Sequence, residues 1–253
     1  MLSLTQVQVI ECFHLAFVQV LSSRLDQRNY VLKGGANLRY FFNSHRYSED
    51  IDFDAVIEEV WKLEEKVDEV LDSSAVTSLL RSKGVTVERV TKAKLTETTQ
   101  RWKVLLAVSG REGTISTRIE FSRRNGDQRW LLEAIPDRVV APYALRAPTL
   151  LHYTAAAAIE QKVKALALRT QTQARDVFDL ELLFREQRDA VEVGALGAAT
   201  LNAAIERCLE LPFEAFEAQV VSFLEPELVD LYNNASSWEQ TQTFVVDRLT
   251  ELR

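Results

Sequence analysis

Residues 33–54 read KGGANLRYFFNSHRYSEDIDFD, and this stretch decides the fold of the N-terminal half of the chain. Tyr30 to Lys33 predicts a short strand, and Gly34 and Gly35 then let the backbone approach a ligand closely, because neither carries a Cβ atom. The next residues, Ala36 to Phe42, predict a short helix whose N-terminus would direct N–H groups at an anion. The sequence therefore predicts a phosphate site where the strand meets the helix.

A second strand follows and carries Asp50 and Asp52 at positions i and i+2. Alternate side chains of a strand share one face, so the two carboxylates would point the same way about 7 Å apart. Their repulsion costs about 2 kcal/mol at an effective dielectric of about 20. A divalent cation removes that cost, and Mg²⁺, or Mn²⁺ in its place, prefers oxygen ligands completed by substrate phosphates. The pair predicts a site for a metal and a nucleoside triphosphate.

A third acid near this pair would complete the metal site, and Glu120 is the best candidate. It lies in the segment 115–121 (ISTRIEF), whose alternation of apolar and polar residues predicts a half-buried strand. The alternative interpretation is a surface ion pair between Glu120 and a neighbouring arginine, Arg118 or Arg123.

The glycine pair, the Asp-x-Asp pair and the later lone acid resemble the signature of nucleotidyltransferases with a polymerase β-like core. The nearer resemblance is to the AbiEii/AbiGii toxin family of type IV toxin–antitoxin systems, which includes MenT-like toxins. Its members show a stretch similar to KGGTALR followed by RxSEDIDF. The matching residues here are Lys33, Gly34, Gly35, Ala36, Leu38, Arg39, Arg46, Ser48, Glu49, Asp50, Ile51, Asp52 and Phe53. Asn37 stands where the family has a small hydroxyl residue, a change that leaves the metal ligands in place.

A second block strengthens the resemblance, because residues 160–180 (EQKVKALALRTQTQARDVFDL) are similar to the family pattern EKLxALxxRxxxRDxxDL. The matching residues are Lys162, Ala165, Leu166, Arg169, Arg175, Asp176, Asp179 and Leu180. By itself this block predicts only a solvated helix pair with ion pairs along it. The resemblance implies that Lys162 and Asp176 are site residues.

The resemblance implies nucleotidyl transfer with two divalent ions, held by Asp50, Asp52 and Glu120. It implies that Lys162 neutralises charge on the triphosphate and that Asp176 orients Lys162 or the acceptor. The nucleotide-binding residues implied are Gly34, Gly35, Arg39, Arg46, Ser48 and Lys162.

The activity implied by the resemblance is transfer of a nucleoside monophosphate from a nucleoside triphosphate to an acceptor hydroxyl, at the 3′ end of tRNA. Such a toxin would block growth or phage propagation, and an antitoxin encoded nearby would be its partner. Two alternatives stay open. One is nucleotidylation of a protein hydroxyl, and the other is a catalytically silent nucleotide-binding regulator.

The charge distribution bears on the acceptor. The net charge is −7, yet residues 81–103 contain seven Lys or Arg residues against two Glu residues. This basic segment could steer an RNA end towards the site, with Trp102 and Trp130 as stacking surfaces. The alternative is an ordinary exposed sheet face.

Periodicity indicates an α+β fold, in which a domain of strands and helices is followed by an all-helical domain. The resemblance implies that the first domain is a polymerase β-like core with a mixed sheet and helices. We expect residues 1–145 to form the catalytic domain and residues 146–253 a helical domain that completes the active-site cleft. The predicted helices of the first domain, beyond residues 36–42, are Thr5–Leu25 and a long acidic helix from Ile57 to Leu80. Later strands are predicted at Val85–Val90, Trp102–Val108 and Thr114–Phe121, with a charged linker at residues 91–100 and a turn at Asn125-Gly126.

Two cysteines, Cys12 and Cys208, lie far apart without metal-binding spacing, which favours a reducing compartment. No cleavage motif follows the N-terminal apolar stretch, and no run of eighteen apolar residues occurs. We therefore expect a cytoplasmic protein with no membrane partner.

Overall fold

A computed structural model describes residues 4–57, 59–123 and 129–253, and in these residues seven strands form one mixed β-sheet. The strands are β1 (Tyr30–Lys33), β2 (Ile51–Ala55), β3 (Val85–Leu95), β4 (Thr99–Val108), β5 (Ile115–Ser122), β6 (Trp130–Ala134) and β7 (Thr149–Tyr153). Their spatial order is β3-β4-β5-β2-β1-β7-β6. β1 is parallel to β7 and β2 is parallel to β5, whereas the other neighbours are antiparallel. The predicted α+β fold with a mixed sheet is confirmed.

The chain forms two units. The first unit comprises the described residues up to Phe41 together with Tyr47–Tyr153. The second unit comprises residues 42–46 and 154–253. The sequence places the boundary at residues 145 and 146, whereas the first unit extends to Tyr153 because β7 is part of the sheet. The predicted turn at Asn125-Gly126 lies outside the described residues.

The helices of the first unit are α1 (Gln6–Arg24), α2 (Gly34–Phe41), α3 (Val60–Leu71), α4 (Ser74–Arg81) and α5 (Asp137–Val140). α1 begins where sequence predicts, because Thr5 and Gln8 form a capping box that satisfies backbone donors at the helix start. α1 packs against α3, α4 and β5. The alternate residues Trp102, Val104 and Leu106 of β4 belong to the same buried core. One face of β3, β4 and β5 is therefore covered by helices.

Two predictions for the first unit are wrong, and two of its strands are not predicted. The acidic helix to Leu80 is two helices, because the Ser73 hydroxyl accepts a hydrogen bond from Val76 N–H and begins α4 as a separate element. The linker at residues 91–100 is instead the end of a hairpin, closed where Thr96 N–H donates to the Thr99 carbonyl. β6 and β7 are further strands that the sequence does not predict, because β7 is held in the sheet by pairing with the distant β1, and β6 pairs with β7.

In the described residues of the second unit the regular structure is helical, apart from one β-bridge between Arg46 and Leu224. The helices are α6 (Ala155–Leu168), α7 (Ala174–Glu186), α8 (Ala198–Leu209), α9 (Phe213–Gln219), α10 (Val229–Tyr232) and α11 (Ala235–Glu251). Phe216 stacks on Trp238 with ring centroids 4.6 Å apart, and Phe178 packs beside Phe216, which joins α7, α9 and α11 in one core.

Both cysteines, Cys12 and Cys208, are buried and not paired in a disulfide. In the described part of the chain, no helix has the length and apolar character needed to cross a membrane.

Candidate active site

Gly34 is placed against Asp52 by the direct connection from β1 to α2. Its φ angle is +68°, a left-handed conformation that side chains disfavour. A Cβ atom at this position would lie 3.2 Å from Asp52 Oδ2 and 3.8 Å from Asp52 Cβ. Both the backbone conformation and the close approach of the carboxylate therefore require glycine here.

Asp52 and Glu120 are brought together by sheet register. Asp52 lies opposite Glu120 on the parallel neighbour β5 and opposite Lys33 on the antiparallel neighbour β1. Residues opposite each other across strands project from the same face of the sheet, so the two carboxylates share a face. The predicted strand around Glu120 is confirmed, and its side chain is 20% exposed.

Asp50 lies immediately before β2 rather than within it. Its Oδ2 accepts a hydrogen bond from Arg118 Nε at 3.0 Å, and this bonding raises the pKa of the Arg118 guanidinium. The Asp50 carbonyl accepts a hydrogen bond of 2.7 Å from the Ser48 hydroxyl. The predicted site residue Ser48 therefore fixes the backbone of the segment that carries Asp50.

Glu120 also faces an arginine, since Arg101 Nε donates to Glu120 Oε2 at 2.7 Å from the opposite position on β4. In the described residues, no three His, Cys, Asp or Glu side chains are gathered closely enough to hold a metal ion. The donor chemistry fits a hard cation nonetheless, because Asp52 and Glu120 present carboxylate oxygens from adjacent strands. Asp50 is the residue immediately before β2, the strand that contains Asp52, so a third carboxylate lies close to them in the chain.

Several predicted site residues lie together in the second unit. Lys162 of α6 donates from Nζ to Asp176 Oδ1 at 2.8 Å and lies 2.6 Å from Asp179 Oδ2. Arg46 Nη2 contacts both oxygens of Asp179 at 3.0 and 3.1 Å, and Arg169 Nε lies 3.4 Å from Asp176 Oδ2. Burial would raise the pKa of Asp179, but Arg46 and Lys162 outweigh it and hold that pKa below its ordinary value. We call Lys162, Arg46, Arg169, Asp176 and Asp179 the lysine cluster.

The predicted nucleotide-binding residue Arg39 contacts Glu11 of α1 and Tyr47. Its Nε donates to Glu11 Oε1 at 2.8 Å, and its guanidinium lies 4.2 Å from the centre of the Tyr47 ring. Gly35, by contrast, lies in the first turn of α2 beside Gly34, as the predicted phosphate site requires.

A buried polar network beside the site was missed by sequence analysis. Asp54 Oδ1 accepts from Lys33 Nζ at 2.5 Å and from the Ser122 hydroxyl at 2.8 Å, and Asp54 Oδ2 accepts from the Tyr153 hydroxyl at 2.7 Å. These four side chains join β1, β2, β5 and β7. The sequence contained one indication of this network: Asp54 is two residues after Asp52 on the same strand, so the two side chains share a face of the sheet.

The predicted stacking surface at Trp102 is wrong. Trp102 is fully buried and its Nε1 donates to Asp68 Oδ1 at 2.9 Å, because even-numbered residues of β4 face the core. Trp130 is half-buried on β6, where its ring packs near Tyr153.

The opposite face of β3, β4 and β5 is basic. Arg89 of β3 lies opposite Leu105, Lys94 opposite Arg101, and Lys103 opposite Arg118. The side chains of Arg89, Lys94 and Lys103 are exposed and form no hydrogen bond or ion pair with any described residue. We call these three residues the basic face.

The nucleotidyl transferase AbiEii toxin family of type IV toxin–antitoxin systems matches residues 16–241, which is most of the chain. The chain belongs to the AbiEii nucleotidyltransferase toxin family. The match includes the glycine pair, the acidic residues of the sheet and the lysine cluster, so this AbiEii protein is a nucleotidyltransferase and a toxin of the type IV class. A comparison with curated protein sequences found no match.

Solved structures show the same fold. A candidate nucleotidyltransferase from Helicobacter pylori is 18% identical to this AbiEii protein, with a TM-score of 0.59 over 95% of this chain and 91% of the other. JHP933 from Helicobacter pylori is 21% identical, with a TM-score of 0.57 over 97% and 91% of the two chains.

Proposed function

We propose that this AbiEii toxin transfers a nucleoside monophosphate from a nucleoside triphosphate to a hydroxyl at the 3′ end of an RNA, namely tRNA. One observation carries the proposal: Asp52 and Glu120 lie opposite each other on adjacent strands, and Asp52 lies so near the glycine that opens α2 that an added Cβ would be 3.2 Å from Asp52 Oδ2. Carboxylates beside a helix N-terminus suit a metal-bound triphosphate.

The first unit supplies the residues for the reaction. The N–H groups of Gly34 and Gly35 hold the triphosphate at the start of α2, and Asp50, Asp52 and Glu120 would hold two Mg²⁺ ions, or Mn²⁺ in their place. Such ions, when bound, neutralise the triphosphate and lower the pKa of the acceptor hydroxyl. The hydroxyl oxygen bonds to the α-phosphorus, its proton passes to a carboxylate of the site, and the bond to pyrophosphate breaks.

For the second unit we propose a phosphate-binding role for the lysine cluster. The cations Lys162, Arg46 and Arg169 suit an anionic group, and Asp176 and Asp179 fix the direction of the Lys162 amine. Replacing Lys162 by Met should therefore raise the KM for the nucleoside triphosphate. A Lys162→Arg variant keeps the charge, and we expect it to recover part of the affinity.

The basic face supports an RNA acceptor over a protein acceptor. Arg89, Lys94 and Lys103 are available to phosphate groups, and each phosphate contact releases counterions and adds to the salt dependence of binding. Replacing all three by Gln should reduce the slope of log affinity for tRNA against log salt by about 2 units. The control replaces Lys62 and Lys66 of α3, which are paired with acids, and should leave the slope unchanged.

The test of function uses purified protein, Mg²⁺, each of the four α-labelled ribonucleoside triphosphates and either total bacterial tRNA or a protein extract. We expect label on tRNA with the wild type and none with Asp52→Asn. Label on protein alone would contradict the tRNA acceptor and identify a protein hydroxyl as the acceptor instead. If no acceptor is labelled and Asp52→Asn still arrests growth when expressed, the chain is a silent nucleotide-binding regulator.

A further inference from the structure

His14 is a buried histidine that the proposed reaction does not use. It lies in α1 with 1% of its surface exposed, and its Nε2 lies 2.7 Å from the hydroxyl oxygen of Thr117 on β5. Burial lowers the pKa of His14 to about 4, although the charge of Asp50 acts in the opposite direction. The imidazole is therefore neutral at neutral pH, and its contact with Thr117 is an ordinary hydrogen bond.

The direction of that hydrogen bond follows from the second contact of Thr117. The Thr117 hydroxyl donates its single proton to the Glu49 carbonyl at 2.8 Å, and a carbonyl can only accept. The Thr117 oxygen must then accept from His14, so the proton of the neutral imidazole resides on Nε2. His14, Thr117 and the Glu49 carbonyl form a directed chain of two hydrogen bonds, which we call the histidine relay.

The histidine relay ends one residue before Asp50. Ladder pairing between β2 and β5 begins at Ile51 opposite Ile119, so Glu49 and Thr117 lie level with each other just beyond it. The Thr117 side chain therefore bonds to the backbone just before the paired part of β2. The Thr117 hydroxyl donates to the Glu49 carbonyl, and the Ser48 hydroxyl donates to the Asp50 carbonyl. The two hydroxyls therefore fix the backbone immediately before and immediately after the Asp50 Cα atom.

We propose that His14 is a positioning residue that acts through Thr117 to hold the segment carrying Asp50 in place for the metal site. The expected effect of His14 on metal binding rests on the proposed function. The expected effect of His14 on the backbone of the segment does not. A histidine that only filled the core would stabilise the fold without controlling the segment at residues 47–52.

The experiment compares Thr117→Val and His14→Phe, which break the histidine relay, with Thr117→Ser, which keeps the hydroxyl. Val18→Ala is the control, because Val18 is fully buried in α1 and takes no part in the relay. Hydrogen exchange of peptides covering residues 47–52 reports the segment directly. Binding of Mn²⁺ to the nucleotide-free protein reports the metal site.

We expect exchange in residues 47–52 to accelerate by about five-fold in Thr117→Val and in His14→Phe, the effect of one lost hydrogen bond. Mn²⁺ affinity should fall by about the same factor. Thr117→Ser keeps the hydroxyl, so its exchange rate in residues 47–52 and its Mn²⁺ affinity should both stay at the wild-type values. Because the relay acts as a unit, the double variant His14→Phe/Thr117→Val should be no worse than either single variant.

The inference is overturned if Thr117→Val and His14→Phe melt at lower temperature, as Val18→Ala does, but exchange at residues 47–52 as in the wild type. A wild type that neither binds Mn²⁺ nor transfers nucleotide would contradict the proposed function instead. Hydrogen exchange would still decide the histidine relay in that case.

Discussion

Replacing Gly34 by Ala should have two effects: strain in the backbone and displacement of the Asp52 carboxylate. A non-glycine residue in the left-handed region costs about 1 to 2 kcal/mol. The added Cβ would also lie 3.2 Å from Asp52 Oδ2, so the carboxylate must shift by a few tenths of an ångström. Gly113 is the matched control, because its φ angle is +81° and an added Cβ would meet no atom within 4 Å.

Both alanine variants should lose about 1 to 2 kcal/mol of stability, with a fall in Tm of about 2 to 4 °C for each kcal/mol. Only Gly34→Ala displaces Asp52. A misplaced catalytic group costs up to about 100-fold, so we expect kcat for nucleotide transfer to fall by about 10- to 100-fold in Gly34→Ala and to stay at the wild-type value in Gly113→Ala.

The assay combines thermal melting of the three proteins with steady-state transfer from an α-labelled triphosphate, measured well below each Tm. Equal kcat values for Gly34→Ala and Gly113→Ala would refute the reasoning, because the contact with Asp52 would then have no catalytic consequence. A wild-type Tm for both would show that neither backbone position is strained by a side chain.

Three further predictions concern buried charges. Lys33→Met leaves Asp54 buried without its cation, and the free energy of unfolding in urea should fall by about 3 kcal/mol; a loss below about 1 kcal/mol would show that water replaces the amine. His14 has a pKa of about 4 in the fold against 6.5 ordinarily, so the unfolded chain binds more protons below pH 6.5. Stability should therefore fall by up to about 3 kcal/mol as pH is lowered from 6.5 towards 4, and urea titrations of His14→Gln should lack this contribution. Arg46→Met removes the bidentate partner of the fully buried Asp179, and calorimetry should show a loss of about 3 kcal/mol, whereas an unchanged Tm would contradict a role for this pair.

Sequence analysis was most successful where local pattern determines structure. The glycine pair after a short apolar run predicted the connection from β1 to α2, and the alternation around Glu120 predicted β5. The same alternation along β4 assigns Arg101 and Lys103 to one face and Trp102 to the other, so the burial of Trp102 could have been predicted from its neighbours.

Other features depend on pairing between distant segments. Nothing near Asp54 indicates that Ser122 and Tyr153 donate to it, because those contacts arise from the register of β5 and from the placement of β7. The partnership of His14 with Thr117 likewise joins residues 103 positions apart. Local periodicity contains no information about such contacts.

The most direct test of the account is single-turnover nucleotide transfer to tRNA by the wild type, Asp52→Asn and Asp54→Asn. Asp52 and Asp54 lie on the same strand two residues apart, but Asp52 lies opposite Glu120 and would meet a Cβ added at Gly34, whereas Asp54 lies opposite Ser122. We expect Asp52→Asn to lose transfer by at least about 1000-fold while it keeps the wild-type Tm, since it removes a proposed ligand of the metal that would stabilise the transition state. Asp54→Asn should lose stability but retain transfer within about ten-fold, since its role is structural. Transfer by Asp52→Asn at the wild-type rate would contradict the central claim.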